Sequence, residues 1–363
     1  RGPVQIRFAL GNSLNIPAVK MLARVGIKPV MQKAYDMGIE NWQPTDANLK
    51  SVGLSLVLGG REATLLQETT AYSVFADQGI KHDPFSIVEV QNSDGKTIFK
   101  HQDSPGNRVL STEISFLISH ILLDDNARAD AFGHNSLLNI PGKTVSVKTG
   151  TTDSKRDNWA MGYTPSYVVG VWVGNNDNTP MNPKIASGIT GATPIWHDIM
   201  AAVLKGKKDE QPQVPPNVSA VQIDSFSGGL PRDGQPTRTE YFVKGTEPTT
   251  PAAIYKKLKI SSHQDGKLAN GDEIAHGDYN AKDYIVFEES DPVSTDGKNR
   301  WQEAIDAWVE QNHKDDPLYH PPHDTSDYKY GSNNNSPTDT PTPTPNGSPT
   351  PSPTVTLTPT PTP

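Results

Sequence analysis

An α+β fold, with helices packed on an antiparallel sheet, is what this sequence predicts, and three observations predict it. Helix signals fill the first third of the chain, up to about Leu123. Strand-like alternation takes over between Thr144 and Val173. Apolar clusters are frequent from Arg1 to about Leu204 and almost absent after Gly331, so the core must come from the N-terminal part. Helices first and strands last is the order of a layered α+β domain.

Each element has its own signal. Residues 16–25 suit a helix that Gly26 would cap, and a second helix is expected over 30–37, stopped at Gly38. A third starts at Thr64, a good N-cap, and runs to Asp77 before Gly79. A fourth follows Ser111 and carries Phe116, Leu117, Ile118, Ile121 and Leu122. Between these last two, residues 87–90 and 97–99 flank the turn Asn92-Ser93-Asp94-Gly95, which reads as a hairpin. Residues 144–148 alternate as a strand does. Residues 158–163 and 167–173, joined by Thr164-Pro165-Ser166, complete a three-stranded antiparallel meander.

The organisation expected is a domain over 1–205, a polar Pro-rich linker over 206–217, a small β-rich accessory segment over 218–315 and a disordered Pro/Thr-rich tail over 316–363. Short strands near 221–223, 241–243 and 284–287, and a helix over 301–309, are expected in the accessory segment. The tail composition has nothing with which to build a core.

Bulk properties exclude some functions. The net charge of −8 is spread without a basic run, which argues against a nucleic-acid partner. The absence of cysteine excludes disulfides and thiolate metal sites. No window approaches the roughly 18 apolar residues of a membrane span. The sequence starts Arg1-Gly2-Pro3-Val4 without an initiator Met, so its N-terminus reads as a cut and the lack of a signal peptide carries no meaning. His320 and His323 have metal-like spacing but read as a surface accident, and no metal site or cofactor is expected.

Two motifs carry chemistry: Ser13-Leu14-Asn15 in the helical region, and Lys148-Thr149-Gly150-Thr151 at the end of the alternating strand. Singly, the first reads as a helix cap and the second as a solvated strand end. In this order and in these contexts they match two elements of the signature of penicillin-binding proteins and β-lactamases. Longer stretches strengthen the match. Residues 9–19, the run Leu58-Gly59-Gly60-Arg61-Glu62-Ala63-Thr64, and Arg156-Asp157-Asn158-Trp159 with Gly162-Tyr163-Thr164-Pro165 all resemble bifunctional (class A) penicillin-binding proteins. So do Val171-Trp172-Val173-Gly174 and Pro194-Ile195-Trp196. The resemblance covers residues 1–200 and, weakly, 215–255.

That resemblance implies part of a penicillin-binding protein/serine β-lactamase-like transpeptidase fold. It also implies a peptidoglycan D,D-transpeptidase that cross-links stem peptides through an acyl-enzyme. Ser13 would relay protons, Asn15 would orient the stem-peptide amide, and Lys148 would supply positive charge. Thr149 and Thr151 would bind the substrate carboxylate, Gly150 would let the backbone approach substrate, and the Thr151 N–H would serve the oxyanion. The expected partners are D-Ala-D-Ala stem peptides and β-lactams, at the extracytoplasmic face of the bacterial membrane. A glycosyltransferase domain and a membrane anchor are implied upstream. The family's nucleophilic Ser-x-x-Lys should precede Ser13, but none of the twelve residues before it is serine, so no nucleophile is expected in this chain. Ser93-x-x-Lys96 and Ser326-x-x-Lys329 stand in the wrong places for that role. A D,D-carboxypeptidase and a non-catalytic β-lactam sensor or wall-binding module are the alternatives.

Overall fold

The computed structural model describes residues 2–182, 187 and 189–331. They form two units, Arg1–Lys257 with Asp283–Pro321, and a smaller one from Leu258–Lys282 and the chain beyond Pro321.

The first unit starts with α1 (Ile6–Gly11), α2 (Asn15–Val25), α3 (Ile27–Asp36) and the short α4 (Asp46–Lys50). Gly26, at φ +91°, ends α2 by donating its N–H to Leu22 O and leads directly into α3. That backbone angle is one glycine adopts at no cost. A capping box opens α5 (Leu65–Ala76). The Thr64 hydroxyl accepts from the Gln67 N–H, and the Gln67 side chain accepts from the Thr64 N–H. Next come β1 (Ile80–Lys81), the hairpin of β2 (Glu89–Gln91) and β3 (Thr97–Lys100), and β4 (Asn107–Arg108), which pairs back onto β1. Ser111 caps α6 (Thr112–Leu123), and Asp124 caps α7 (Asp125–Phe132).

The sheet that organises the unit is β5 (Ser146–Thr151), β6 (Asp157–Tyr163) and β7 (Val168–Gly174), antiparallel and in that order. Lys148 stands opposite Met161, and Trp159 opposite Trp172. Its turn is made by Thr164, which donates its N–H to Tyr167 O and accepts at Oγ1 from the N–H groups of Ser166 and Tyr167. One face of the sheet packs on α8 (Ala192–Leu204), where Val147, Val169 and Val171 meet Trp196 and Met200. Gly162 lies so close under the Trp196 ring that no side chain fits there. The other face meets α5 and α6, and the Ser146 hydroxyl donates to Ser119 O at 2.8 Å. The sheet is thus covered by helices on both sides. The reason is the apolar stripe of α8, Trp196-Met200-Leu204 at four-residue spacing.

Beyond α8 the unit adds the antiparallel ribbon β8 (Val218–Asp224) and β9 (Thr237–Val243). The strand β10 (Tyr255–Ser261), the helix α9 (Gly271–His276), the strand β11 (Tyr279–Ile285) and the helix α10 (Arg300–Asn312) follow. β10 pairs with β11. Residues 206–217 have no regular structure, yet they are pinned. Asp209 accepts from the Thr144 N–H at 2.6 Å and hydroxyl at 2.9 Å, and Glu210 accepts from the Ser166 hydroxyl at 2.9 Å. In the second unit, residues 322–331 belong to a packed structure rather than to the tail. Leu268 donates to Asp324 O at 2.8 Å, Ser326 donates to Leu268 O at 2.7 Å, and Tyr328 stacks on His263. Residues 332–363 of the expected tail lie outside the described residues. Among the described residues no helix is long and apolar enough to cross a membrane.

Candidate active site

The turn between α1 and α2 is built to present one side chain. Gly11 packs against α7, where a Cβ would come within 2.6 Å of Ala127 O, so only glycine lets the two backbones meet. Asn12 is buried and uses its whole amide. Its Nδ2 donates to Ala127 O at 2.8 Å and Phe8 O at 3.0 Å, and its Oδ1 accepts from the Ala131 N–H at 2.8 Å. Bonds from the Ser13 N–H to Leu10 O and from the Leu14 N–H to Ala9 O close the turn. Ser13 itself is exposed and sits at φ +56°, a left-handed conformation uncommon for a residue with a side chain. Such a geometry persists where its surroundings over-determine it, and here Asn12 supplies that determination.

Lys148 comes from β5 to meet this turn. Its Nζ donates to Ser13 Oγ at 2.7 Å and to Thr149 O at 2.7 Å. Part of the side chain keeps contact with solvent, but its surroundings desolvate the ammonium and lower its pKa from 10.5 to about 8. No carboxylate pairs with it among the described residues. The site therefore holds a desolvated cation whose electrostatic demand is met by neutral oxygens alone, which is the condition for binding an anion.

The backbone beside Lys148 is available as well. The bond from the Thr152 N–H to Asp157 O fixes the phase of the β5–β6 ladder. Residues 148 and 150 therefore turn their N–H and C=O groups toward β6, and 149 and 151 turn theirs to the open edge. Side chains alternate with the same period. Lys148 and Gly150 share the face of Ser146, toward the helices, while Thr149 and Thr151 share the face of Val147. The two threonines thus meet the site mainly by their backbone groups at the edge, and their hydroxyls form no hydrogen bond among the described residues. Asp157 braces the end of the strand. It accepts from the Thr152 hydroxyl and from Trp172 Nε1, each at 2.9 Å.

Of the residues singled out in the sequence, Ser13 and Lys148 are in direct contact across 135 positions. Asn15 stands exposed at the first residue of α2. Ser93 lies exposed in the β2–β3 turn, and Ser326 is buried in the second unit, accepting from the Tyr328 N–H, so neither begins a helix beside a lysine. A cavity of about 300 Å³ lined by Phe75, Phe116 and Tyr163 includes neither Ser13 nor Lys148. Two positions escaped the sequence reading. One is Asn12, whose signal was an amide next to a glycine before the motif. The other is Arg7, the sole charge in α1. Arg7 is buried, forks onto the Glu240 carboxylate of β9, and donates to Asp124 at 3.1 Å and His120 O at 3.2 Å.

Comparison with known proteins places the chain in a family. Residues 1–201 match the family described as the penicillin binding protein transpeptidase domain, and residues 214–257 match the penicillin-binding protein 1A C-terminal domain. The chain belongs to the penicillin-binding protein transpeptidase family. Penicillin-binding protein 1A of Aquifex aeolicus is 32% identical over 250 residues, covering 68% of this chain and 32% of that protein. The Escherichia coli protein of the same name is 25% identical over 329 residues, covering 69% of this chain and 38% of its own length. The crystal structure of penicillin-binding protein 1A from Haemophilus influenzae superposes with a TM-score of 0.60 at 26% identity, over 69% of this chain and 42% of that one. The chain spans about a third of the length of these curated relatives.

Proposed function

We propose that residues 1–205 act in a peptidoglycan D,D-transpeptidase that cross-links stem peptides through a serine acyl-enzyme. In that reaction a serine Oγ attacks the penultimate D-Ala carbonyl, and the C–N bond to the terminal D-Ala breaks. The leaving amine takes a proton, and the amine of a second stem then displaces the serine. The single observation that carries this reading is the 2.7 Å bond between Ser13 and Lys148 at the open edge of β5.

Each part of the site has a task in it. A stem peptide adds along β5, hydrogen-bonding the outward groups of Thr149 and Thr151. Its terminal carboxylate supplies the anion that Lys148 lacks, with the Thr149 and Thr151 hydroxyls beside it at the strand edge. The outward Thr151 N–H meets the developing oxyanion. Lys148 holds the Ser13 hydroxyl through its 2.7 Å hydrogen bond, and Ser13 relays a proton to the leaving amine. Asn15 orients the stem amide from the start of α2. β-Lactams, which carry a carboxylate next to a reactive amide, fit the same contacts. The setting is the extracytoplasmic face of the bacterial membrane. The family match does not favour the carboxypeptidase or sensor readings.

The test is acylation by a fluorescent penicillin in a protein that joins these residues to a Ser-x-x-Lys segment. Lys148→Ala is expected to slow acylation about thirtyfold or more, because a charge-assisted contact in such a site is worth about 2–4 kcal/mol. A change below about tenfold, or ~1.4 kcal/mol, overturns the assignment. Residues 1–363 alone should remain unlabelled, since no Ser-x-x-Lys among the described residues begins a helix.

A further inference from the structure

Both helices that bracket Ser13 are gripped by the C-terminal part of the first unit. On α1, Glu240 of β9 takes the Arg7 guanidinium by its fork, with the second contact at 2.8 Å from Nε. Arg238 of the same strand donates to Glu240 at 2.8 Å, bonds the Gln5 side chain, and lies over the Phe8 ring. Gln5 in turn donates to Ser225 O and Phe226 O, each at 2.9 Å. On α2, Arg24 pairs with Glu289 while Lys20 and Arg24 lie over the Trp301 ring of α10. The two grips use different residues, different chemistry and opposite flanks of the same turn.

The stronger grip is the one on α1. Arg7 and Glu240 are both largely enclosed, at 5% and 14% side-chain exposure, so neither charge can fall back on water. Arg7 lies six positions before Ser13 on a helix of a single turn and a half, which Gly11 and Asn12 lock onto α7. A displacement of Arg7 therefore moves the turn rather than being absorbed along the chain.

We infer that the segment matching the penicillin-binding protein 1A C-terminal domain positions the catalytic turn: Glu240, through Arg7, sets the reach of Ser13 to Lys148. Glu240 and Arg7 are positioning residues, and neither touches substrate. This inference takes Ser13 and Lys148 as the working pair and so rests on the function proposed above, but its test needs neither penicillin nor substrate.

The readout is the titration of Lys148, followed by NMR of the lysine 13Cε signal in the full chain. Glu240→Gln keeps the shape and removes the charge that holds Arg7 to β9, leaving Asp124 as its remaining carboxylate partner. The turn then retracts, the ammonium regains water, and the Lys148 midpoint is expected to rise by one pH unit or more. Val218→Ala, a core change in the same β-ribbon, serves as the stability control and should leave the midpoint in place. If Glu240→Gln does not fold, the paired change Arg7→Met with Glu240→Leu replaces both charges by apolar groups and is read in the same way. A Lys148 midpoint that stays within 0.2 units of wild type in the folded variant, or that moves equally in Val218→Ala, overturns the inference. A midpoint that moves as expected while penicillin labelling is unaffected by Lys148→Ala upholds the positioning role and removes the proposed function instead.

Discussion

Lys148 shows what a side chain costs the fold at the place where it is useful. Burial lowers its pKa to about 8, below the 10.5 of an unfolded chain. The unfolded state binds more protons between those values, so the contribution of Lys148 to stability rises with pH through that window and is least favourable below pH 8. Lys148→Met is therefore expected to stabilise the chain by roughly 1–2 kcal/mol at pH 7, with the gain shrinking from pH 8 towards 10.5. Thermal melts at pH 7 and pH 10 check this, and a gain that grows with pH refutes it. Asn12 behaves oppositely. Asn12→Ala strands the buried Ala127 carbonyl and the Ala131 N–H, while Phe8 O keeps its bond from the residue-12 N–H, and should destabilise the chain by about 2–4 kcal/mol in a urea titration.

At the level of the element, the ladder phase of β5 has a direct consequence. The Gly150 N–H points into the ladder and the Thr151 N–H points out of it. Proline removes a donor wherever it stands, but an edge position tolerates the loss. Thr151→Pro is accordingly expected to lower the melting temperature less than Gly150→Pro, while abolishing acylation in an active protein. The reverse order of stabilities would mean the phase is misassigned. How much of these elements was legible depended on how local their causes are. Thr64, Ser111 and Gly26 act on their own helices, and the sequence reading placed α5, α6 and the end of α2 within a residue or two. The strands β6 and β7 were equally plain from their alternation. By contrast β10 was missed. Its Tyr255-Lys256-Lys257-Leu258-Lys259 run reads as polar, and the Lys256 and Lys259 side chains are in fact occupied with Glu288 and the Tyr279 ring. The helix α1 was missed because Gly11 and Asn12, poor helix formers, follow only five residues of pattern, and its stability comes from α7 and β9.

For the first unit as a whole, the charge network at Arg7 sets the acid limit. Burial alone would raise the Glu240 pKa, but the hydrogen bonds and charges of Arg7 and Arg238 hold it down to about 2, against 4.5 in an unfolded chain. A depressed carboxylate stabilises the fold above pH 4.5, and that stability is lost as pH falls from there towards 2. Wild type and Glu240→Gln should therefore differ most above pH 5, on the order of 3 kcal/mol, and converge by about pH 2. A constant difference across that range would exclude the network as its source. At this scale the sequence was least informative about the candidate site. Ser13 and Lys148 could be named from short motifs, but their mutual contact, and the dependence of the turn on β9, are facts of tertiary packing between residues with no local pattern in common.

The separation along the chain between Arg7 and Glu240, 233 positions, also fixes an order of events during synthesis. A ribosome adding roughly 5–20 residues per second leaves Arg7 without its β9 counter-charge for about 12–47 s. During that interval Arg7 has no β9 carboxylate to meet, and Lys148 is completed well before Glu240. The α1 side of the serine–lysine pair is then completed by a strand that never approaches the substrate, and the α2 side by Glu289 and Trp301, which leave the ribosome later still. Nascent chains stopped short of β9 would carry every residue of both motifs and still lack the carboxylate that takes the Arg7 guanidinium by its fork.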